Sequence, residues 1–157
     1  MGTEIKMLAM DVDGTLTDGK IYMGPKGEVC KAFNIKDGLG INQLIKNGIL
    51  PVIITGRRSA IVENRAKELG ITEVYQGVED KAAVLGQVAS KYGFGLGQVA
   101  YVGDDCNDLE VMAAAGLVFA PADAAKEVLE YADIVVTSKG GEGAVREVAD
   151  YLLKGRN

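Results

Sequence analysis

The sequence predicts a doubly wound α/β fold built on a parallel sheet. Three observations carry that expectation. Apolar runs of four to six residues alternate with helical patterns from end to end. Those runs are continuous rather than alternating, as in strands covered on both faces. The composition, 48% apolar and 25% charged over 157 residues, is that of one soluble domain. A chain of this length buries roughly two thirds of its unfolded surface.

The strands come in order. Leu8-Ala9-Met10 leads into Asp11, and Leu50-Pro51-Val52-Ile53-Ile54 leads into Thr55. Val74-Tyr75 is a weaker strand. Val99-Ala100-Tyr101-Val102 leads into Gly103-Asp104, and Gly116 to Ala120 and Asp133 to Val136 complete the set. Helices lie between them. Ile61, Val62, Ala66 and Leu69 share one face, with Ser59 as N-cap and Gly70 just past the end. Leu85, Val88, Ala89 and Tyr92 form a second face, and Leu109 to Ala115, Ala124 to Tyr131 and Ala144 to Leu153 follow. Strands alternating with helices imply right-handed βαβ units, a Rossmann-like arrangement. One segment departs from it: Lys20 to Phe33 reads as a β-hairpin turning at Gly24-Pro25-Lys26-Gly27. Residues 1–157 show no repeat or linker and are expected to form one domain, with 20–33 as a projecting flap.

Composition excludes several functions. The net charge of −5 argues against nucleic acid as partner. No apolar run approaches the ~20 residues of a membrane span, and Met1 to Lys6 does not begin a secretory leader. Two cysteines, Cys30 and Cys106, make no disulfide framework, so the expected compartment is the cytoplasm. The chain has no histidine. That removes Ser-His-Asp and Cys-His catalysis and the usual histidine-bearing zinc sites, leaving carboxylates, hydroxyls, lysine, arginine, two thiols or a bound metal.

The carboxylates cluster at strand ends, where open α/β sheets bind ligands. Asp11 and Asp13 follow the first strand in Asp11-Val12-Asp13-Gly14-Thr15. Thr55 and Gly56 follow the second. Gly103-Asp104-Asp105-Cys106-Asn107-Asp108 follows another, and Lys81 begins a helix after Asp80. Crowded carboxylates repel unless a cation joins them, and oxygen ligands suit Mg²⁺. Lys81 balances charge or holds an anion, and Thr55 offers its hydroxyl and backbone N–H groups to the same anion. Such a site can make Asp11 a nucleophile towards phosphorus. Asp13 can protonate the leaving oxygen and then activate water.

The ordered set D-x-D-G-T, strand plus T-G, isolated K and strand plus G-D-D-x-x-D resembles the haloacid dehalogenase superfamily of aspartate-nucleophile phosphatases. The resemblance implies that Asp11 is nucleophile and metal ligand. It makes Asp13 the acid/base, with its backbone carbonyl on the metal. Thr55 and Lys81 would bind phosphate, Asp104 would be a direct Mg²⁺ ligand, and Asp105 and Asp108 would support it. Only 41 residues separate Asp13 from Thr55, and 25 separate Thr55 from Lys81, too few for the inserted cap domain of many members. The open site implies either a large substrate or cover from another subunit. A lone hairpin is marginal in water, so self-pairing of the flap into a homotetramer is expected, against packing on its own domain.

Finer matches include Lys31-Ala32-Phe33-Asn34-Ile35, Asp37-Gly38, Ile54-Thr55-Gly56-Arg57 and Gly140-Gly141 through Glu147. They are similar to the capless tetrameric phosphatases of 3-deoxy-D-manno-octulosonate 8-phosphate, which supply a lipopolysaccharide precursor. Gly56, Arg57, Arg65 and Asn107, with Thr55 and Lys81, are the candidate contacts to such a sugar-acid phosphate. Arg57 is the first choice for its carboxylate, and Lys31, Lys36 and Arg146 are further candidates. Thr15 stands where many of these enzymes carry Val, and Glu142 where the resemblance would place Arg. A nine-carbon ulosonate 9-phosphate or a broader set of sugar phosphates therefore stays open as substrate. A receiver-like signalling module also gathers acids, Thr and Lys around Mg²⁺, but no D-x-D ends its first strand. Gly140 to Gly143 reads either as a helix entry or as a segment reaching a neighbouring site.

Overall fold

Six parallel strands form the centre of the computed structural model, which describes residues 2–156. The elements run β1 (Met7–Met10), β2 (Tyr22–Gly24), β3 (Gly27–Cys30), α1 (Ile35–Lys46), β4 (Leu50–Ile54), α2 (Ala60–Leu69) and β5 (Glu73–Tyr75). They continue with α3 (Lys81–Lys91), β6 (Val99–Val102), α4 (Leu109–Ala114), β7 (Leu117–Ala120), α5 (Lys126–Tyr131), β8 (Ile134–Val135) and α6 (Ala144–Leu153). The sheet order is β5-β4-β1-β6-β7-β8, and β2 and β3 pair separately as an antiparallel hairpin. The expected doubly wound α/β fold is therefore present, with the hairpin as the sole insertion between β1 and α1.

The strand order places β1 between β4 and β6. The chain winds outward in both directions from β1, so its carboxyl end is the switch point at which ligands bind. The strands are buried on both faces, as their unbroken apolar runs required. On one face Ile41 and Leu44 of α1, Val62 and Ala66 of α2, and Val145 and Val148 of α6 pack together. On the other, Leu85 and Val88 of α3, Val111 and Met112 of α4, and Val128 of α5 do so.

Helix α1 is an addition to the sequence reading. Asn34 caps it, accepting from the Lys36 amide at 2.8 Å, and its buried face includes Ile41 and Leu44. Gly38 and Gly40 interrupt that face and obscured its periodicity. Gly40 is there because α6 passes close: a Cβ would lie 3.1 Å from that of Ala149 and 3.2 Å from the Arg146 Cα. Asp37, also on α1, accepts from the Arg146 amide at 2.9 Å and so ties α1 to the start of α6.

The hairpin strands are shorter than the Lys20–Phe33 span. Tyr22, Met23 and Val29 are exposed on the hairpin, while Phe33 packs against the core. Gly140 to Gly143 lies against the turn after β1 and the start of α1. The Gly141 amide donates to the Thr15 carbonyl at 3.2 Å, and Asn34 Nδ2 donates to the Gly141 carbonyl at 3.3 Å.

Candidate active site

Three loops converge at the switch point. The first leaves β1 at Asp11, whose amide donates to the Val102 carbonyl of β6 at 3.1 Å. It turns at once, with the amides of Thr15, Leu16 and Thr17 all donating to the Val12 carbonyl. Gly14 makes the turn possible: its φ is +88°, and a Cβ there would overlap the Asp104 carboxylate. The second loop leaves β6 at Gly103, and the third leaves β4 at Thr55.

Asp11, Asp104 and Asp108 each bring a carboxylate oxygen into one group, all within 4.8 Å. Lys81, buried at the start of α3, stands 3.3 Å from Asp11 Oδ1 and 2.8 Å from Asp108 Oδ1. Asp80 sets that helix start by accepting from the Ala83 amide at 3.0 Å. Burial, then the Asp108 charge, raises Asp11 to about 6 despite Lys81. Burial, then Asp11 and Asp108, raises Asp104 to about 8. Burial alone would lower the Lys81 ammonium, but Asp11 and Asp108 outweigh it and hold it up. One lysine, in contact with Asp11 and Asp108, thus serves three acids, and a divalent cation would relieve the repulsion that remains.

Asp108 is geometrically within reach of such a cation, yet its lone pairs are occupied. Oδ1 accepts from Lys81 Nζ and from the Tyr101 hydroxyl at 2.6 Å. Oδ2 accepts from the amides of Asp104 at 3.1 Å and Asp105 at 3.3 Å. Asp108 therefore positions Lys81 and the Asp104 loop. Asp11 and Asp104 remain as carboxylate donors. The Asp13 carbonyl accepts no hydrogen bond among the described residues, so it is available as a third oxygen. This donor set fits Mg²⁺.

Thr55 is buried, and its amide donates to the Tyr75 carbonyl at 2.9 Å. The expected donation of that amide to an anion is thereby corrected. Its hydroxyl and the following Gly56 amide are the donors left. Asp105 accepts from the Cys106 amide at 2.7 Å, a local turn bond, and Asn107 is exposed beside it. Arg57 lies on the exposed rim, with its guanidinium 3.6 Å from Glu28 Oε2 on the flap. Arg65 is not brought to the carboxylates: its guanidinium lies 5.7 Å from the centre of the Phe33 ring and pairs with Glu68 at 3.3 Å. Lys31 is not a solvated charge either, since its side chain is fully buried and its Nζ lies 2.6 Å from Asp13 Oδ1. Arg146 pairs with Asp150 at 3.1 Å, on α6.

A model of the haloacid dehalogenase-like hydrolases matches residues 71–148. The chain is 50% identical to the 3-deoxy-D-manno-octulosonate 8-phosphate phosphatase KdsC of Yersinia pestis over 149 residues, covering 95% of this chain and 80% of the relative. The chain belongs to the haloacid dehalogenase-like hydrolases. Against the enzyme of the same name from Escherichia coli K12, identity is 48%, covering 95% of this chain and 79% of the other. Among solved structures, the Moraxella catarrhalis 3-deoxy-D-manno-octulosonate 8-phosphate phosphatase, in complex with magnesium, phosphate and KDO, superimposes with a TM-score of 0.92. Its identity is 45%, covering 96% of this chain and 87% of that one. The cobalt-bound Haemophilus influenzae phosphatase gives a TM-score of 0.94 at 39% identity, covering 96% and 88%.

Within this hydrolase site, Tyr101, Glu28 and the pairing of Lys31 with Asp13 lay outside the sequence reading. Tyr101 left a trace: a tyrosine inside an otherwise aliphatic buried strand needs a partner for its hydroxyl. Lys31 stood among the candidate charges, but its meeting with Glu28 and Asp13 left no trace, because it depends on how the hairpin folds back.

Proposed function

We propose that this hydrolase is a Mg²⁺-dependent phosphatase that converts 3-deoxy-D-manno-octulosonate 8-phosphate to the free sugar acid and phosphate. The observation that carries the reading is the meeting of buried Asp11 and Lys81 with half-buried Asp104 at the switch point. Identity of 50% to a phosphatase of that name supports the substrate. Mg²⁺, held by Asp11, Asp104 and the Asp13 carbonyl, would neutralise the repulsion between the nucleophile and a phosphate dianion.

The side chains then divide the work. Lys81, the Thr55 hydroxyl and the Gly56 amide hold the phosphate oxygens. An Asp11 oxygen attacks phosphorus in line, and the bond from phosphorus to the sugar oxygen breaks. Asp13 gives its proton to that oxygen, which leaves as an alcohol. The phosphoryl group is now on Asp11. Asp13, now ionised, takes a proton from water as it attacks phosphorus, and phosphate leaves with Asp11 regenerated. Arg57 and Asn107 at the open rim face the sugar, with Arg57 pairing its carboxylate. A kcat/KM panel tests the substrate. The eight-carbon ester is expected to exceed nine-carbon ulosonate 9-phosphates and simple sugar phosphates; a reversed order rejects the assignment.

The same reading includes a homotetramer in the cytoplasm, supplying a lipopolysaccharide precursor. Tyr22, Met23 and Val29 on the hairpin and Ile35 and Leu39 on α1 are exposed apolar side chains, with Ile35 at 83%. Covering them with another copy removes that surface from water. Both cysteines are free, and no helix among the described residues is long and apolar enough to cross a membrane. Light scattering at micromolar concentration is expected to give the tetramer mass, and a monomer mass rejects it.

A further inference from the structure

We infer that Lys31, on the flap, is the positioning residue of the acid/base Asp13, so that the hairpin is part of the proton-transfer apparatus. This rests on the reading of Asp13 as acid/base.

Asp13 lies in the tight turn after β1 and keeps part of its side chain, 19%, in solvent. Nothing on its own loop is hydrogen-bonded to its carboxylate. Among the described residues, the one cation that reaches it comes from the flap: Lys31 Nζ lies 2.6 Å from Oδ1, at the end of a side chain with no solvent exposure. Burying an ammonium is costly unless it is paired. Lys31 is paired twice, its second partner being Glu28 Oε2 at 3.2 Å. Glu28 is anchored in turn. Its Oε1 accepts from the Ser59 hydroxyl at 2.6 Å, and Arg57 stands 3.6 Å from Oε2. Ser59 sits at the N-cap of α2 but makes no side-chain capping bond there, its hydroxyl being turned to Glu28 instead.

A continuous chain of polar contacts thus runs from the loop after β4, through the flap, to Asp13. Lys31 engages Oδ1 alone. Among the described residues, Oδ2 has no hydrogen-bond donor and is the oxygen able to carry the proton towards a leaving group. When that proton moves to the sugar oxygen as the phosphorus–oxygen bond breaks, the carboxylate left behind faces a fixed cation. A charge held ready where charge develops contributes to the step itself rather than to binding.

The test uses leaving groups. An alkyl ester, such as glycerol phosphate or the sugar-acid phosphate, needs a proton on its departing oxygen. p-Nitrophenyl phosphate does not, because p-nitrophenolate is stable as an anion. kcat/KM covers steps only up to departure of the leaving group. Its alkyl-to-aryl ratio, measured on one preparation with saturating Mg²⁺, is independent of the fraction of enzyme that is folded. Positioned general acids contribute ~10²–10⁴-fold. Lys31→Met is therefore expected to lower the ratio at least ~10-fold. Glu28→Gln, which loosens the flap but keeps Lys31 on Asp13, is expected to hold it within about 3-fold. An unchanged ratio in Lys31→Met overturns the inference. So does an equal fall in both variants, which would make the hairpin a mere staple. Asp13→Asn separates the two readings. If its ratio collapses while that of Lys31→Met does not, only the positioning role fails. If its own ratio is unchanged, the acid/base reading fails with it.

Discussion

Replacing Asp108 by Asn keeps the shape and removes the charge on which the site is hung. The carboxylate accepts four hydrogen bonds, two at each oxygen. An amide cannot accept at its nitrogen, so one pair is lost whichever way it turns. Hydrogen bonds to charged groups are worth ~1.5–3 kcal/mol each, which gives about 3–6 kcal/mol for the pair. Breaking a buried ion pair costs a similar amount. For a chain of this size, at ~3 °C per kcal/mol, the melting temperature should fall by about 9–18 °C. Tyr101→Phe removes one donor and leaves Lys81 in place, so its loss should be about 5–9 °C. Both are measured by thermal melting with saturating Mg²⁺, where the acids are neutralised and relief of repulsion does not blur the comparison. An Asn variant melting within about 2 °C of the parent refutes the positioning role of Asp108. A Phe variant that loses more than the Asn variant would do the same.

Two further outcomes follow from the same geometry. In the metal-free protein Asp11 and Asp104 are raised from 3.8 to about 6 and about 8. The folded state therefore binds more protons than the unfolded state between about pH 4 and 8, so metal-free stability falls as pH rises through that window. Mg²⁺ must displace those protons, so its affinity rises over the same range; melts in EDTA and in Mg²⁺ should diverge with pH, and parallel curves contradict this. Gly14→Ala places a methyl group against Asp104 at a φ of +88°. It should weaken Mg²⁺ binding at least ~5-fold by calorimetry, as strain of ~1–3 kcal/mol is taken from the site; unchanged affinity contradicts this.

Much of this molecule was readable before its structure. Strands buried on both faces announce themselves as unbroken apolar runs, and Asp11, Thr55 and Asp104 stand directly after such runs. Their meeting follows from topology alone. What escaped did so for physical reasons. Gly38 and Gly40 serve the contact of α1 with α6 at the expense of helical periodicity. The Thr55 amide is used by its neighbour strand, which no local pattern records. Lys31 was visible only as one candidate charge among several, because its burial depends on the hairpin, with Glu28, folding back onto Asp13. Asp108 differs again: its place in the acidic motif was visible, but its saturation by Lys81, Tyr101 and two amides was not.

The phosphoryl acceptor is the point on which the chemistry turns. A crystal grown with Mg²⁺ and beryllofluoride should show beryllium bonded to a carboxylate oxygen of Asp11, with the cation touching Asp11, Asp104 and the Asp13 carbonyl. Beryllium bonded to any other side chain, or Asp11 and Asp104 lying too far apart to bind one ion, would contradict it.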